Sequence, residues 1–157
     1  MAGVSGYTPY QNTIHIYVHI DFPDNWQKSL RQTLTHEYAH SVHFQNKFTF
    51  YKLSEAFIFE GLAEVFREET DGTGKSPMTR KINIERTLNY FSSLSKKYSS
   101  TDFSLYQNVF FGDDNFPTWT GYKIGYLLAK KYRSKNRSAS WENIFLINPK
   151  NIFDYTK

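Results

Sequence analysis

Polar and apolar positions alternate strictly from residue 13 to 20. Ile14, Ile16, Val18 and Ile20 share one face, and His15, Tyr17 and His19 share the other. A period of two is that of a half-buried strand. Residues 1–12, rich in Gly, Ser, Thr, Pro and Asn, have no period and read as loop. After a turn over residues 21–25, where Asp24 or Asn25 can cap, the period lengthens to that of a helix running from Trp26 to Gln45, with Leu30, Leu34 and Val42 inward. Residues 46–53 read as a connection, and Ser54 as the cap of a second helix over 55–69. Gly61 inside that helix costs about 1 kcal/mol relative to Ala, which points to close approach of the first helix. A Gly-rich turn over 70–77 precedes a third helix over 78–97, with Ile82, Leu88, Phe91 and Leu94 inward. Residues 99–115 read as a long polar and aromatic connection, suited to one wall of a cleft. Pro117 opens a helix over 118–133, and a short helix over 141–147 ends ahead of Pro149. No repeat and no second core is visible, so the expectation is one domain over 1–157, of α+β class and predominantly helical, with a small edge strand before the first helix.

Composition narrows the chemistry. A chain of 157 residues buries roughly two thirds of its unfolded surface unaided, so a bound metal is expected to serve catalysis rather than the fold. There is no apolar run of 18 residues, hence no membrane span is expected. No charged and then apolar leader opens the chain, which points to a soluble, cytoplasmic setting. The absence of cysteine excludes thiolate ligands and disulfides. Net charge is +4, helped by the basic run Lys130–Arg137. That run falls where a helix ends, and cations there complement the helix dipole. No nucleic-acid partner is expected, since no binding module surrounds it.

The chemistry concentrates in Thr35-His36-Glu37-Tyr38-Ala39-His40. On a helix, i and i+4 share a face, so His36 and His40 can converge on one ion while Glu37, about 100° round, reaches a water beside it as general base. A catalytic zinc needs a third protein ligand and one open position. Glu60 supplies the candidate, because positions 41–59 suffice to end one helix and bring a second back beside it. His43 is excluded, since it lies about 10 Å along the axis from His36. His15 and His19 stand about 13 Å apart on a strand and cannot share an ion. Glu64, one turn after Glu60, is placed to accept the other N–H of His36 or His40 and so fix its tautomer.

His-Glu-x-x-His followed by Glu-Gly-Leu-Ala-Glu at this distance resembles the gluzincins, the thermolysin-like and aminopeptidase-like zinc peptidases whose third ligand is a Glu on the next helix. With Gly3–Thr8, Glu60–Phe66 and Trp119–Tyr126 included, most of the chain is similar to a bacterial domain family of predicted zinc-dependent proteases. The resemblance implies a zincin-like core, Zn²⁺ held by His36, His40 and Glu60, and a peptide or protein substrate. It also implies an edge strand beside the cleft, for which the strand over 13–20 is the candidate. A developing oxyanion needs a donor besides the metal. Tyr122-x-x-Gly125 is similar to the segment that supplies a tyrosine in aminopeptidase-type gluzincins, which favours Tyr122 over Tyr126. The Gly-x-Met-Glu-Asn segment that holds a free amine in those enzymes has no counterpart here, which favours endopeptidase action. The rival is a catalytically inactive zincin-fold module used for binding or sensing.

Overall fold

The computed structural model describes residues 3–10, 12–19, 26–46 and 50–157. Two strands, β1 (Val4–Tyr10) and β2 (Thr13–Val18), are followed by helices α1 (Trp26–Gln45), α2 (Leu53–Thr70), α3 (Ile84–Ser93), α4 (Phe103–Phe111), α5 (Thr120–Lys135), α6 (Trp141–Phe145) and α7 (Pro149–Thr156), with a 3-10 turn over Ser95–Lys97. The chain is thus predominantly helical with a small two-stranded sheet. Among the described residues, no helix is long and apolar enough to cross a membrane.

The centre of the fold is α2. Every residue from Ala56 to Val65, more than two full turns, is buried, as expected of a helix enclosed on every side. It lies against α5, α1 and α7. Around it the core is completed by Val109 and Phe110 of α4, Ile124 and Leu128 of α5, Ile144 of α6, and Ile152 and Phe153 of α7. The α2–α5 seam is the tightest. A Cβ on Gly61 would collide with the backbone carbonyl of Gly125, and one on Gly125 with the carbonyl of Phe57. The partner that Gly61 accommodates is therefore α5, not α1 as its position in the sequence suggested.

The other helix that matters, α1, inverts the usual pattern. Its buried residues are Gln32, Thr33, His36, Glu37, Ala39, His40, Ser41 and His43, a polar face turned inward. Leu34, expected in the core, is 46% exposed. It sits about 200° round the helix from His36, and the histidine face won the interior.

Several boundaries differ from expectation for identifiable reasons. Residues 4–10 form a strand rather than a loop, because they pair antiparallel with β2 (Val4 with Val18, Gly6 with Ile16, Tyr7 with His15) and close on α1. Helix α2 begins at Leu53, ahead of the cap expected at Ser54. The Glu55 carboxylate accepts the backbone N–H groups of Tyr51 and Lys52 instead. The third helix starts only at Ile84, where the Asn83 side chain accepts the Arg86 N–H. It stops at Ser93, and Leu88 is exposed. The expected connection over 99–115 contains α4, started by Asp102 accepting the Ser104 N–H. Pro149 opens α7 rather than closing the fold, since its fixed φ suits the first turn and Asn148 caps that turn. Ile20 and the turn over 21–25 lie outside the described residues.

Candidate metal centre

Three atoms converge between α1 and α2. The Nε2 atoms of His36 and His40 are 3.0 Å apart, and Glu60 Oε2 lies 3.2 Å from the first and 3.3 Å from the second. All three side chains are buried. A tetrahedral zinc with bonds of about 2.0–2.1 Å has its ligand atoms about 3.3 Å apart, so the triangle fits one face of such a site. His36, His40 and Glu60 form a group that could hold a metal ion. His43 is not in that group.

The electrostatics favour a cation here. Burial pushes the His36 imidazole down, but its hydrogen bonds to Glu60 and Glu64 and their charges outweigh that and raise it to about 10. Burial would raise Glu60, yet the charges and hydrogen bonds of His40 and His36 hold it well below the usual carboxylate range. A metal ion would likewise place positive charge where the two Nε2 atoms and Glu60 Oε2 face one another.

The remaining edge of His36 is held from α2. Its Nδ1 lies 2.9 Å from Glu64 Oε1, and the Glu64 carboxylate is completely enclosed. Its other oxygen accepts from Ser76 Oγ at 2.5 Å and Thr79 Oγ1 at 3.3 Å, with Arg67 Nη2 3.5 Å away. Burial pushes Glu64 up, and the contacts from His36, Arg67 and Ser76 bring it below its ordinary value. Arg67 in turn donates to Asp71 at 3.1 Å and to the Gly74 carbonyl at 2.7 Å. Gln32 of α1 ties the same turn through Thr73 at 2.9 Å. With its Nδ1 thus occupied, His36 presents Nε2 to the centre.

His40 is oriented by packing. Its ring stacks on Phe59 with centroids 4.2 Å apart and planes 3° from parallel. Phe59 also stacks on His43, 5.0 Å away, which meets Phe145 edge-on at 4.7 Å. Burial first, then the nearby His40 charge, lowers His43 to about 3, so it stays neutral. Among the described residues neither of its ring nitrogens has a partner.

Glu37 is buried on the flank of the same helix face, and Thr8 Oγ1 of β1 donates to its Oε2 at 2.7 Å. The strand in contact with this carboxylate is β1. The Tyr122 ring of α5 stands 6.4 Å from His36 and meets Phe110 edge-on at 5.2 Å. Burial raises its hydroxyl well above the usual tyrosine range, and the charges of Glu60, Glu37 and Glu64 push the same way. Tyr126 is turned elsewhere and donates to Glu68 at 2.6 Å. Tyr106 of α4 is a second tyrosine that the sequence reading did not single out. It stacks on Phe110 at 4.5 Å, and burial and the Glu60 charge raise it too. It went unseen because its segment read as a connection.

The basic run is tied into the fold. Lys130 lies 3.3 Å from Glu68, and Arg133 pairs with Glu69 at 3.1 Å while donating to the carbonyls of Asn136, Arg137 and Ala139. His15 is exposed on the hairpin, 3.4 Å from the Tyr17 hydroxyl.

One family model matches the chain, over residues 1–154. Its description reads "Predicted Zn-dependent protease (DUF2268)". No curated protein and no solved structure gives a significant match.

Proposed function

Because the chain belongs to this family of predicted Zn-dependent proteases, we propose that it is a gluzincin-type peptidase, one domain over residues 1–157, that hydrolyses peptide bonds with a single Zn²⁺. The observation that carries the reading is the triangle of Nε2, Nε2 and Oε2 atoms, 3.0–3.3 Å on a side, with Glu37 next in the chain. His36, His40 and Glu60 hold the ion, and Glu64 keeps His36 in the tautomer that offers Nε2. Three protein ligands leave a fourth corner open, as in catalytic rather than structural sites. Bound there, zinc supplies Lewis acidity, which activates water and polarises the scissile carbonyl.

The chain's own residues do the rest. Glu37 takes the proton of the attacking water and delivers it to the leaving amine. Tyr122, kept protonated by burial and the surrounding carboxylates, donates a hydrogen bond to the carbonyl oxygen as charge gathers on it. Its raised pKa suits a donor that must not ionise. Burial of His36, Glu37, His40 and Glu60 strengthens each interaction among them.

The test is metal analysis of the purified protein followed by digestion of a mixed peptide library, with and without chelator. One zinc per chain and chelator-sensitive cleavage are expected. Glu37→Gln should retain zinc and lose on the order of 10²- to 10⁴-fold in rate. Cleavage that survives chelation, a library left uncut, or a fully active Glu37→Gln variant would overturn the reading.

A further inference from the structure

The hairpin makes an unexpected contact with the catalytic helix. Thr8 is buried, and its hydroxyl stands 2.7 Å from Glu37 Oε2 and 3.0 Å from the Glu37 carbonyl oxygen. Two residues earlier, on the same face of β1, a Cβ at Gly6 would lie 2.5 Å from Glu37 Cγ, 2.7 Å from Thr33 Cγ2 and 2.9 Å from Glu37 Oε1. Only a residue without a side chain lets the strand settle this close. A turn further along α1, Ser41 Oγ accepts the Asn12 N–H at 3.3 Å, so the hairpin is fastened to the helix beyond Glu37 as well.

We propose that Thr8 is a positioning residue for the general base: its hydroxyl anchors one oxygen of the Glu37 carboxylate and leaves the other to receive the proton. The inference rests on the peptidase reading above and adds a residue to it. The terminal torsion of a glutamate is broad and two-fold, so packing of the stem alone does not select how the two oxygens face. A hydroxyl donated to an ionised oxygen is among the stronger hydrogen bonds and selects one orientation. The donor comes from a different element, 29 residues away, and the backbone at Gly6 closes over the Glu37 stem. Hydroxyl and strand together limit the motion of the carboxylate that must reach the water. A tie serving only to dock the hairpin would need no more than the carbonyl of Glu37, yet the shorter of the two contacts goes to the carboxylate.

The experiment compares Thr8→Val, which keeps the shape and loses the hydroxyl, with Thr8→Ser, which keeps the hydroxyl. Both are assayed on the peptide cut best in the library digest, with zinc content and melting temperature measured on the same preparations. Thr8→Val should lower kcat on the order of 10- to 100-fold, as small misplacements of a catalytic group do, with KM and zinc content unchanged. Thr8→Ser should recover most of the rate. Independently of turnover, a denaturant double-mutant cycle between Thr8→Val and Glu37→Ala, which removes the acceptor, should show coupling, since residues in contact do not act additively. Should Thr8→Val fail to fold, Thr8→Ala against Thr8→Ser makes the same comparison. Wild-type kcat without the hydroxyl, equal losses with and without it, or zero coupling would overturn the proposal and leave the peptidase reading intact. An active Glu37→Gln variant or an uncut library would remove that reading and the role of Thr8 with it.

Discussion

The two faces of α2 are built on opposite plans. Toward α1 it presents Glu60 and Glu64, whose charged oxygens meet imidazoles across contacts of 2.9–3.3 Å. Toward α5 it presents Gly61, and the two backbones touch. The first seam is held by groups that are costly to bury and must be satisfied one by one. The second is held by shape where Gly61 meets Gly125, and its polar ties, from Tyr126 and Lys130 to Glu68 and from Arg133 to Glu69, lie further along the two helices. Polar seams specify chemistry and tolerate little loss of a partner, whereas apolar seams specify distance and tolerate little gain of volume. One helix carries both, which is how a charged centre comes to rest on a rigid support.

The largest effect expected from breaking this contrast is at the apolar seam. Gly61→Ala gains about 1 kcal/mol of helix propensity but drives a methyl into the Gly125 carbonyl, which no side-chain rotation relieves. Overpacking of this kind typically costs about 1–3 kcal/mol and occasionally more, and backbone against backbone belongs at the high end. The melting temperature of the metal-free protein should fall by roughly 5–10 °C, read by calorimetry. An unchanged value would mean the helices are free to slide apart.

At the polar seam the effect should appear in metal binding. Glu64→Gln keeps the shape but removes the charge beside His36 Nδ1, and zinc affinity should drop about 10- to 100-fold, measured by competition with a chelator. Affinity equal to wild type would mean that Glu60 and the helix backbone orient His36 unaided.

The last effect, the smallest when taken per unit of pH, is graded. Since His36 is raised to about 10 in the metal-free protein, zinc must displace its proton at neutral pH. Affinity should rise with pH, by up to tenfold per unit, and level off near pH 10. Calorimetry in buffers of different ionisation enthalpy should count about one proton released per zinc bound at pH 7.5. In the absence of metal the sign reverses. His36 gains its proton more readily folded than unfolded, so its contribution to stability is complete below about pH 6.5 and is lost as pH rises through 10.

What could be read in advance follows the range of the interactions involved. Helix α1 was legible from Trp26 to Gln45, and the spacing of His36 and His40 placed two donors on one face, because a helix converts sequence distance directly into direction. Glu60 needed only an antiparallel neighbour, and α2 is that neighbour. Strand β1 was not legible, because Gly, Ser and Pro carry no period and its order comes from β2 and α1. For the same reason Thr8 was seen as part of a motif and not as a partner of Glu37. Helix α4 was hidden by its composition: Phe103–Phe111 mixes polar residues with aromatic ones that stay exposed at both ends, and its inner rings are sorted only by Phe57, Phe50 and Tyr122 around them. Leu34 misled because leucines are expected inside, and on α1 the interior was claimed by ionisable groups.

The contact between Gly61 and Gly125 also fixes a length. Gly61 follows Glu60 directly, and Gly125 comes one turn after Tyr122. The carboxylate and the phenol therefore hang from two rods clamped together at that crossing, and a drift of either rod carries the other with it. A spacer as thin as one methyl group at the clamp would shift both at once, and a displacement of about 1 Å at a reacting centre can cost on the order of 10²-fold in rate. Gly61 thereby acts as the gauge that sets how far apart the Glu60 carboxylate and the Tyr122 phenol stand.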